Sequence, residues 1–276
     1  MLLLCSPLGA LAAAAAPVRF NIGAASASSS MLSLWAAQEQ GLFAKHGIDP
    51  QLILIRGGST LVASLVTGEI HVAFTSGVSV LGAAAQGIDV KMLTSISSRV
   101  SWKLIANPQI KTAAELRGKR VGVQSIVGST WMYAMLALEQ LGLEPKRDNI
   151  SFLPIGDAVT IGHALEAGRI DAAVLDPPLS RRLTGKGFSQ LVDLAQTNAS
   201  FPGLGVGVTR NYLDRQAANI ERVVTALTEG LAFVQLPANK PAVLKILMKH
   251  LRVTDAAVAE DGYQDHLSTL NRKPYP

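Results

Sequence analysis

Four short segments carry residue types able to hold a small ligand: Ser28-Ser29-Ser30, Thr75-Ser76-Gly77, Gly128-Ser129-Thr130-Trp131 and Asp176-Pro177. Hydroxyls and glycines just ahead of a helix put unpaired backbone N–H groups and partial positive charge beside side-chain donors. That combination suits a carboxylate, sulfonate or phosphate. Helix capping by the same Ser and Thr side chains accounts for each segment taken alone. Trp131, in the first turn of its helix beside Ser129 and Thr130, is placed to stack on a bound molecule, whereas Trp35 reads equally well as core. Asp176, followed by Pro177 and Pro178, could accept from a ligand donor or hold a turn, and both readings stand.

Catalytic signatures are missing. The histidines, His46, His71, His163, His250 and His266, show neither H-E-x-x-H spacing nor clustering with carboxylates. There is no G-x-S-x-G nucleophile elbow. Gly57-Gly58-Ser59-Thr60 lacks the following Gly-Lys-Ser/Thr of a phosphate loop and reads as a turn into a helix. Cys5 is the only cysteine, so neither a disulfide framework nor a thiolate metal site is available. The expectation is a non-enzyme with no catalytic residue, no metal and no cofactor.

These segments all follow apolar strands in a βαβ rhythm, the mark of a doubly wound α/β structure. Strands are predicted at Val18–Ile22, Gln51–Ile55, Val72–Phe74, Val90–Ser98 and Trp102–Ala106, with helices at Met31–Gln40, Ser59–Val66 and Val78–Gln86. A second unit follows Pro108, with strands at Arg120–Gln124, Ile150–Pro154, Ala172–Leu175 and Leu191–Leu194 and helices at Ala113–Leu116, Ser129–Leu141 and Val159–Ala167. In open α/β sheets ligands sit beyond the carboxyl ends of the strands, where the four segments lie.

An internal repeat joins the units. Leu65-x-x-Gly68-x-Ile70-x-x-Ala73 recurs as Leu165-x-x-Gly168-x-Ile170-x-x-Ala173, and Gly87 and Gly187 keep the same register. Each copy reads as a helix ended by a C-capping glycine and feeding a buried strand. Two lobes of one design, each offering a polar helix start, favour a shared ligand over capping alone. Farther on, Ile220, Val223, Val224, Leu227, Leu231 and Val234 form one helical apolar stripe. Ala242–His250 and Ala256–Leu270 are further predicted helices. No closing element is predicted over Asn271–Pro276, which suggests a fragment missing a final helix.

Composition agrees. Hydrophobic residues make up 49% of the 276 and charged residues 16%, ample for a packed core. Aromatics are only 5%, replaced by the small and branched aliphatics of sheets buried on both faces. The net charge of +5 is dispersed, without the basic run and interleaved aromatics of a nucleic-acid surface. Residues 1–16 form an apolar run, Leu2 to Ala16, ending in small residues before Pro17, which reads as a signal peptide cleaved near Ala14–Ala16. Cys5 would permit a lipoprotein anchor, but Leu4 is too large for the residue usually preceding one.

Several stretches, in order, resemble periplasmic binding proteins of the nitrate/sulfonate/taurine type. They include Gln40-Gly41-Leu42-Phe43-Ala44-Lys45-His46-Gly47-Ile48, Gly68-Glu69-Ile70-His71-Val72-Ala73 and Gln86-Gly87-Ile88-Asp89-Val90-Lys91. Leu116-Arg117-Gly118-Lys119-Arg120-Val121-Gly122-Val123, Gly168-Arg169-Ile170-Asp171-Ala172-Ala173 and Lys273-Pro274-Tyr275-Pro276 extend the pattern over nearly the whole mature chain. The resemblance implies a type II periplasmic-binding-protein fold: lobe one from residues 17–105 and 200–276, lobe two from 106–199, and a two-segment hinge near 97–106 and 197–205. It implies a monomeric, exported, extracytoplasmic clamp for a small anionic solute that hands its cargo to a membrane ABC permease and has no nucleic-acid partner. The same fold resembles thiamine-pyrimidine synthases, whose cysteine-rich motif this chain lacks; precursor binding or synthesis, or a ligand-sensing module, are the alternatives.

Overall fold

The computed structural model describes residues 16–197 and 202–275. Residues 1–15 of the expected leader, 198–201 of the second expected hinge segment and Pro276 of the closing motif lie outside the described residues. The first part of the chain builds β1 (Val18–Ala24), α1 (Leu32–Glu39), α2 (Leu42–Lys45), β2 (Ile48–Leu54), α3 (Gly58–Thr67), β3 (Val72–Ser76), α4 (Gly77–Ala84) and β4 (Val90–Ser97). The middle builds β5 (Lys103–Ala106), β6 (Arg120–Val123), α5 (Ser129–Gln140), β7 (Ser151–Pro154), α6 (Ala158–Glu166), β8 (Ala172–Leu175), α7 (Pro177–Gly185) and β9 (Ser189–Asp193). The chain then returns through β10 (Leu204–Thr209), α8 (Arg210–Gln235), α9 (Lys240–Leu251), α10 (Ala256–Thr269) and β11 (Leu270–Tyr275).

Two sheets result, with orders β11-β4-β10-β3-β1-β2 and β7-β6-β8-β5-β9. Their central pattern is the same. In each, two neighbours flank a parallel centre (β2-β1-β3 and β7-β6-β8), and an antiparallel strand inserts beside the third (β10 or β5). The inserted strand is in both cases the one by which the chain enters that sheet from the other. Helices cover both faces of each sheet, as the doubly wound expectation requires. Leu104, Val121 and Leu138 pack on one side of the second sheet, and Ile105, Ile161, Leu165 and Leu175 on the other.

The repeat is structural. Gly68 ends α3 at φ 80° and Gly168 follows α6 at φ 68°, a left-handed turn that a side chain would strain. The turn drops Ile70 and Ile170 into the cores at 2% and 0% exposure before the chain enters β3 and β8. In the neighbouring strands, a Cβ on Gly23 would lie 2.3 Å from Leu61 and one on Gly122 2.4 Å from Ile170. Small residues on the central strands therefore let each helix and its isoleucine press directly on the sheet.

Several elements depart from the sequence reading. Ala113–Leu116 is only a 3-10 turn over Ala114–Leu116. α7 was not anticipated, because Pro177-Pro178 reads as a breaker; both prolines occupy the first turn, where the missing N–H costs nothing. β11 (Leu270–Tyr275) pairs with β4, where no closing element was predicted over Asn271–Pro276 and Leu270 was expected to end a helix. β5 pairs with β8 and β9 in the second sheet, so the chain passes between sheets at residues 98–102, a few residues before the expected division at 105. No helix among the described residues is long and apolar enough to cross a membrane.

α8 shows how tightly the first lobe is packed. Its stripe of Ile220, Val223, Leu227, Leu231 and Val234 is buried as predicted. At Gly230 a Cβ would stand 2.5 Å from the Ser33 carbonyl oxygen of α1. Gly→Ala inside an exposed helix usually gains about 1 kcal/mol. Here Gly230→Ala is expected to lose about 1–3 kcal/mol through overpacking. Urea unfolding checks this, and a more stable variant would show that the α1–α8 contact has slack.

Candidate functional site

The carboxyl ends of β1 and β3 in the first lobe face those of β6 and β8 in the second, as the twofold-repeated topology dictates. Between them lies a cavity of about 100 Å³ whose wall comes from both lobes. Ser26 and Ser30 follow β1, Thr75 and Ser76 end β3, and Gln124, Ser129 and Tyr133 face them from β6 and α5. The crossing between sheets adds Arg99, Ser101 and Trp102, and α10 contributes Asp265, His266 and Thr269.

The lobes touch around this space. Ser59 donates to the Ser125 hydroxyl at 2.8 Å. Arg56 pairs with Asp157 at 3.5 Å, and Arg181 of α7 pairs with Asp261 of α10 at 2.8 Å. The Tyr133 hydroxyl is hydrogen-bonded to Ser76, and burial raises its pKa. Val127, in the loop leading to α5, sits at φ 60°. That is a strained conformation for a β-branched residue, taken up where the loop meets Gly82 of α4.

The anticipated residues are divided by this geometry. Ser30, Thr75, Ser76 and Ser129 stand on the wall. Thr75 is fully buried, and its hydroxyl finds no hydrogen-bond partner among the described residues. Ser28 lies behind the wall, sharing hydrogen bonds with Ser26 at 3.0 Å and Ser30 at 2.7 Å. Ser29 is buried in the turn before α1 and hydrogen-bonds Asp265. The Gly77 N–H is spent on the Gly203 carbonyl at 2.7 Å. Gly128 is the N-cap of α5, with no side chain capping it.

Four others serve the second lobe itself. Thr130 is buried and its hydroxyl accepts from the Gln124 N–H at 2.9 Å. Trp131 makes an edge contact with Phe152, with ring centres 6.1 Å apart, and is not on the cavity wall. Trp102 is the tryptophan that is. Asp176 caps α7 by accepting from Leu179 N–H at 3.0 Å, and Pro177 is buried in the first turn. The turn-holding alternative for Asp176 is the one the structure displays, and the residue is not on the cavity wall.

Sequence reasoning missed Asp265, His266 and Thr269 because strand-end logic does not reach α10, a helix added from the far C-terminal part of the chain. Burial pushes the Asp265 carboxyl up to about 6, with Asp176 adding to the effect and Ser101, Arg181 and Ser29 opposing it. Burial also raises Asp176, against the Leu179 N–H and Arg181. His266 is 3% exposed, shares a hydrogen bond with Ser33 at 3.0 Å, and is driven by burial down to about 4. It is neutral at pH 7.

This paired architecture defines the class: a two-lobed periplasmic-binding-protein fold with its cavity between the lobes. Residues 28–239 match the family described as NMT1/THI5 like, and the chain belongs to that family. A Brucella abortus protein named as an inferred binding protein is 27% identical over 224 residues, spanning 80% of this chain and 67% of that protein. A Bordetella bronchiseptica protein of known structure superposes with a TM-score of 0.82 at 20% identity, covering 92% of this chain and 83% of its own. The periplasmic aliphatic sulphonate binding protein SsuA from Escherichia coli gives 0.73 at 21% identity, covering 95% and 87%.

The two buried titrating groups leave opposite marks on stability. His266, lowered in the fold, contributes stability present above about 6.5 and lost as pH falls through about 4. Asp265, raised in the fold, contributes stability present below 3.8 and lost as pH rises through about 6. His266→Gln should therefore lose less stability than the wild type between pH 6.5 and 4, by at most on the order of 3 kcal/mol. Urea melts across that range check it; parallel curves for the two proteins would show that His266 does not titrate there.

Proposed function

We propose that the protein is an extracytoplasmic solute-binding protein that captures a small molecule between its lobes and delivers it to a membrane ABC permease. The observation that carries this reading is the cavity itself, closed by groups from both lobes and lined by hydroxyls. A ligand touching both walls favours the closed arrangement over the open one by its differential affinity. The two lobes then move as units about residues 98–102, where the chain crosses from the first sheet to the second. An exported, monomeric protein fits this role.

Size limits the cargo. Pockets for drug-sized ligands run to about 300–1,000 Å³, and this one holds about 100 Å³. The ligand is a small organic molecule. An acid group has a place in it, because α5 opens on the cavity at Ser129 with no side-chain cap. Arg99 stands on the same wall and makes no ion pair among the described residues. Exposed N–H groups, a helix dipole and a guanidinium together favour a carboxylate or sulfonate.

A thermal-shift panel of sulfonates, nitrate, bicarbonate, aromatic carboxylates and pyrimidines tests the reading. One chemical class should raise the melting temperature in proportion to ln[ligand]. Ser129→Ala should then weaken that ligand about 10- to 100-fold, the value of one or more charge-assisted hydrogen bonds, with the unliganded melting temperature little changed. Thr130→Ala serves as the contrast, losing stability because the Gln124 N–H is orphaned. No shift for any compound, nor for a small-molecule extract, would defeat the binding role.

A further inference from the structure

A second and larger recess lies at the edge of lobe one. Its volume is about 540 Å³, within the range of roughly 300–1,000 Å³ usual for small-molecule sites. α1, the last turn of α9 and the carboxyl end of the edge strand β2 build it, and Val159 of α6 touches it from lobe two. The loop after β1 separates it from the inter-lobe cavity, giving Ser30 to that wall, Ala27 to this one and Ser26 to both. The lining is largely apolar. Leu34 and Trp35 are buried behind it, while Ile53, Leu54 and Val159 are large apolar side chains left exposed around it. The Trp35 and His250 rings are stacked with centres 4.7 Å apart, and His250 shares a hydrogen bond with Glu39 at 3.0 Å, which fixes this side of the wall.

Charge decides what the recess can take. Its wall carries Arg56 and Arg252 and no carboxylate. The acids around it are engaged, Glu39 with Lys249 at 2.8 Å and with His250, and Asp157 with Arg56 at a long 3.5 Å. Arg252 enters no ion pair and no side-chain hydrogen bond among the described residues. Its backbone also holds φ 55° at the end of α9, the left-handed position that Gly or Asn usually fills. An arginine kept there against backbone preference, on a cavity wall and without a counter-charge, points to an anion from outside the chain.

We propose that this recess is a second binding site, for an organic acid with an apolar body. The body lies against Leu52, Leu54 and Trp35, and the carboxylate is held by Arg252, whose planar fork can take both oxygens. Arg56, only loosely held by Asp157, adds a second positive charge on the same wall. The site belongs to lobe one and does not rest on the clamp reading.

The probes are 2-naphthoate and octanoate, an aromatic and an aliphatic acid, each set against its primary amide, with acetate as the acid that lacks a body. With Trp102→Phe and Trp131→Phe in place, Trp35 is the sole tryptophan and its emission reports the recess. Calorimetric titration of the wild type gives the affinities. At least one of the two acids should shift Trp35 emission and bind about tenfold or more tightly than its amide and than acetate. Arg252→Gly should bring that acid down to the affinity of its amide. The same variant, unliganded, should melt at the wild-type temperature or higher, because Gly relaxes the left-handed turn. Leu54→Gln should weaken acid and amide together, since it removes apolar contact and leaves the charge. Equal binding of acid and amide overturns the site, and so does binding that neither substitution changes, which would seat the acids elsewhere. No binding by either acid overturns it as well. The clamp is judged separately, since neither Arg252 nor Leu54 lies on the wall of the inter-lobe cavity.

Discussion

The two chain crossings between lobes are stitched together at one point. The Gly203 N–H donates to the Ser97 carbonyl at 3.0 Å, the Leu204 N–H donates to the Ser97 hydroxyl at 2.8 Å, and the Gly203 carbonyl accepts from Gly77 at 2.7 Å. A Cβ on Gly203 would lie 2.3 Å from the Ser97 oxygen, so no other residue fits without displacing a strand. This joint fixes where β4 ends, where β10 begins and how α4 starts. It therefore decides that Arg99, Ser101 and Trp102 emerge onto the cavity wall. Any motion of one lobe against the other must take place around it, in the few residues on either side.

Much of this was legible in the sequence, and the reason is that the fold is repeated. A helix ended by glycine, a buried isoleucine and a small-residue strand occur twice at the same spacing, and the physical demands on each copy are local: a left-handed turn, then a strand covered on both faces. Such demands leave residue types behind. The same holds for the polar segments after the strands, where Ser30, Thr75, Ser76 and Ser129 stand on the cavity wall. The residues that went unread depend on contacts remote in sequence. α10 reaches the cavity only because α8, α9 and α10 wrap the first sheet, and nothing in Asp265 or His266 itself announces that placement. α7 was hidden for a different reason, since a pair of prolines carries opposite meanings inside a helix and in its first turn.

Hydroxyl-rich segments also mislead about detail. A Ser or Thr after a strand has several possible employers, and this structure uses most of them. Thr130 holds the Gln124 N–H, Ser28 links its neighbours, Ser29 steadies Asp265, and Ser129 faces the cavity. Residue type and position narrow the candidates to a loop, but only the backbone donors left over after folding tell which hydroxyl remains free for a ligand.

The contacts that hold the lobes against each other are individually weak. Arg181–Asp261 is about half exposed on both sides, and the exposed Arg56 guanidinium pairs with Asp157 at a long 3.5 Å. Surface pairs of this kind contribute about 0–1 kcal/mol each and less in salt. Against them stand the strained Val127, at a cost of about 1–3 kcal/mol for such a backbone, and the burial of Asp176 and Asp265 with their charges of like sign. The two ion pairs and these opposing terms are thus of similar size, so the ion pairs alone do not lock the lobes together. Converting a 1:99 population into 99:1 takes about 5.5 kcal/mol of differential affinity, which a ligand between the lobes would have to supply through the polar groups on both walls.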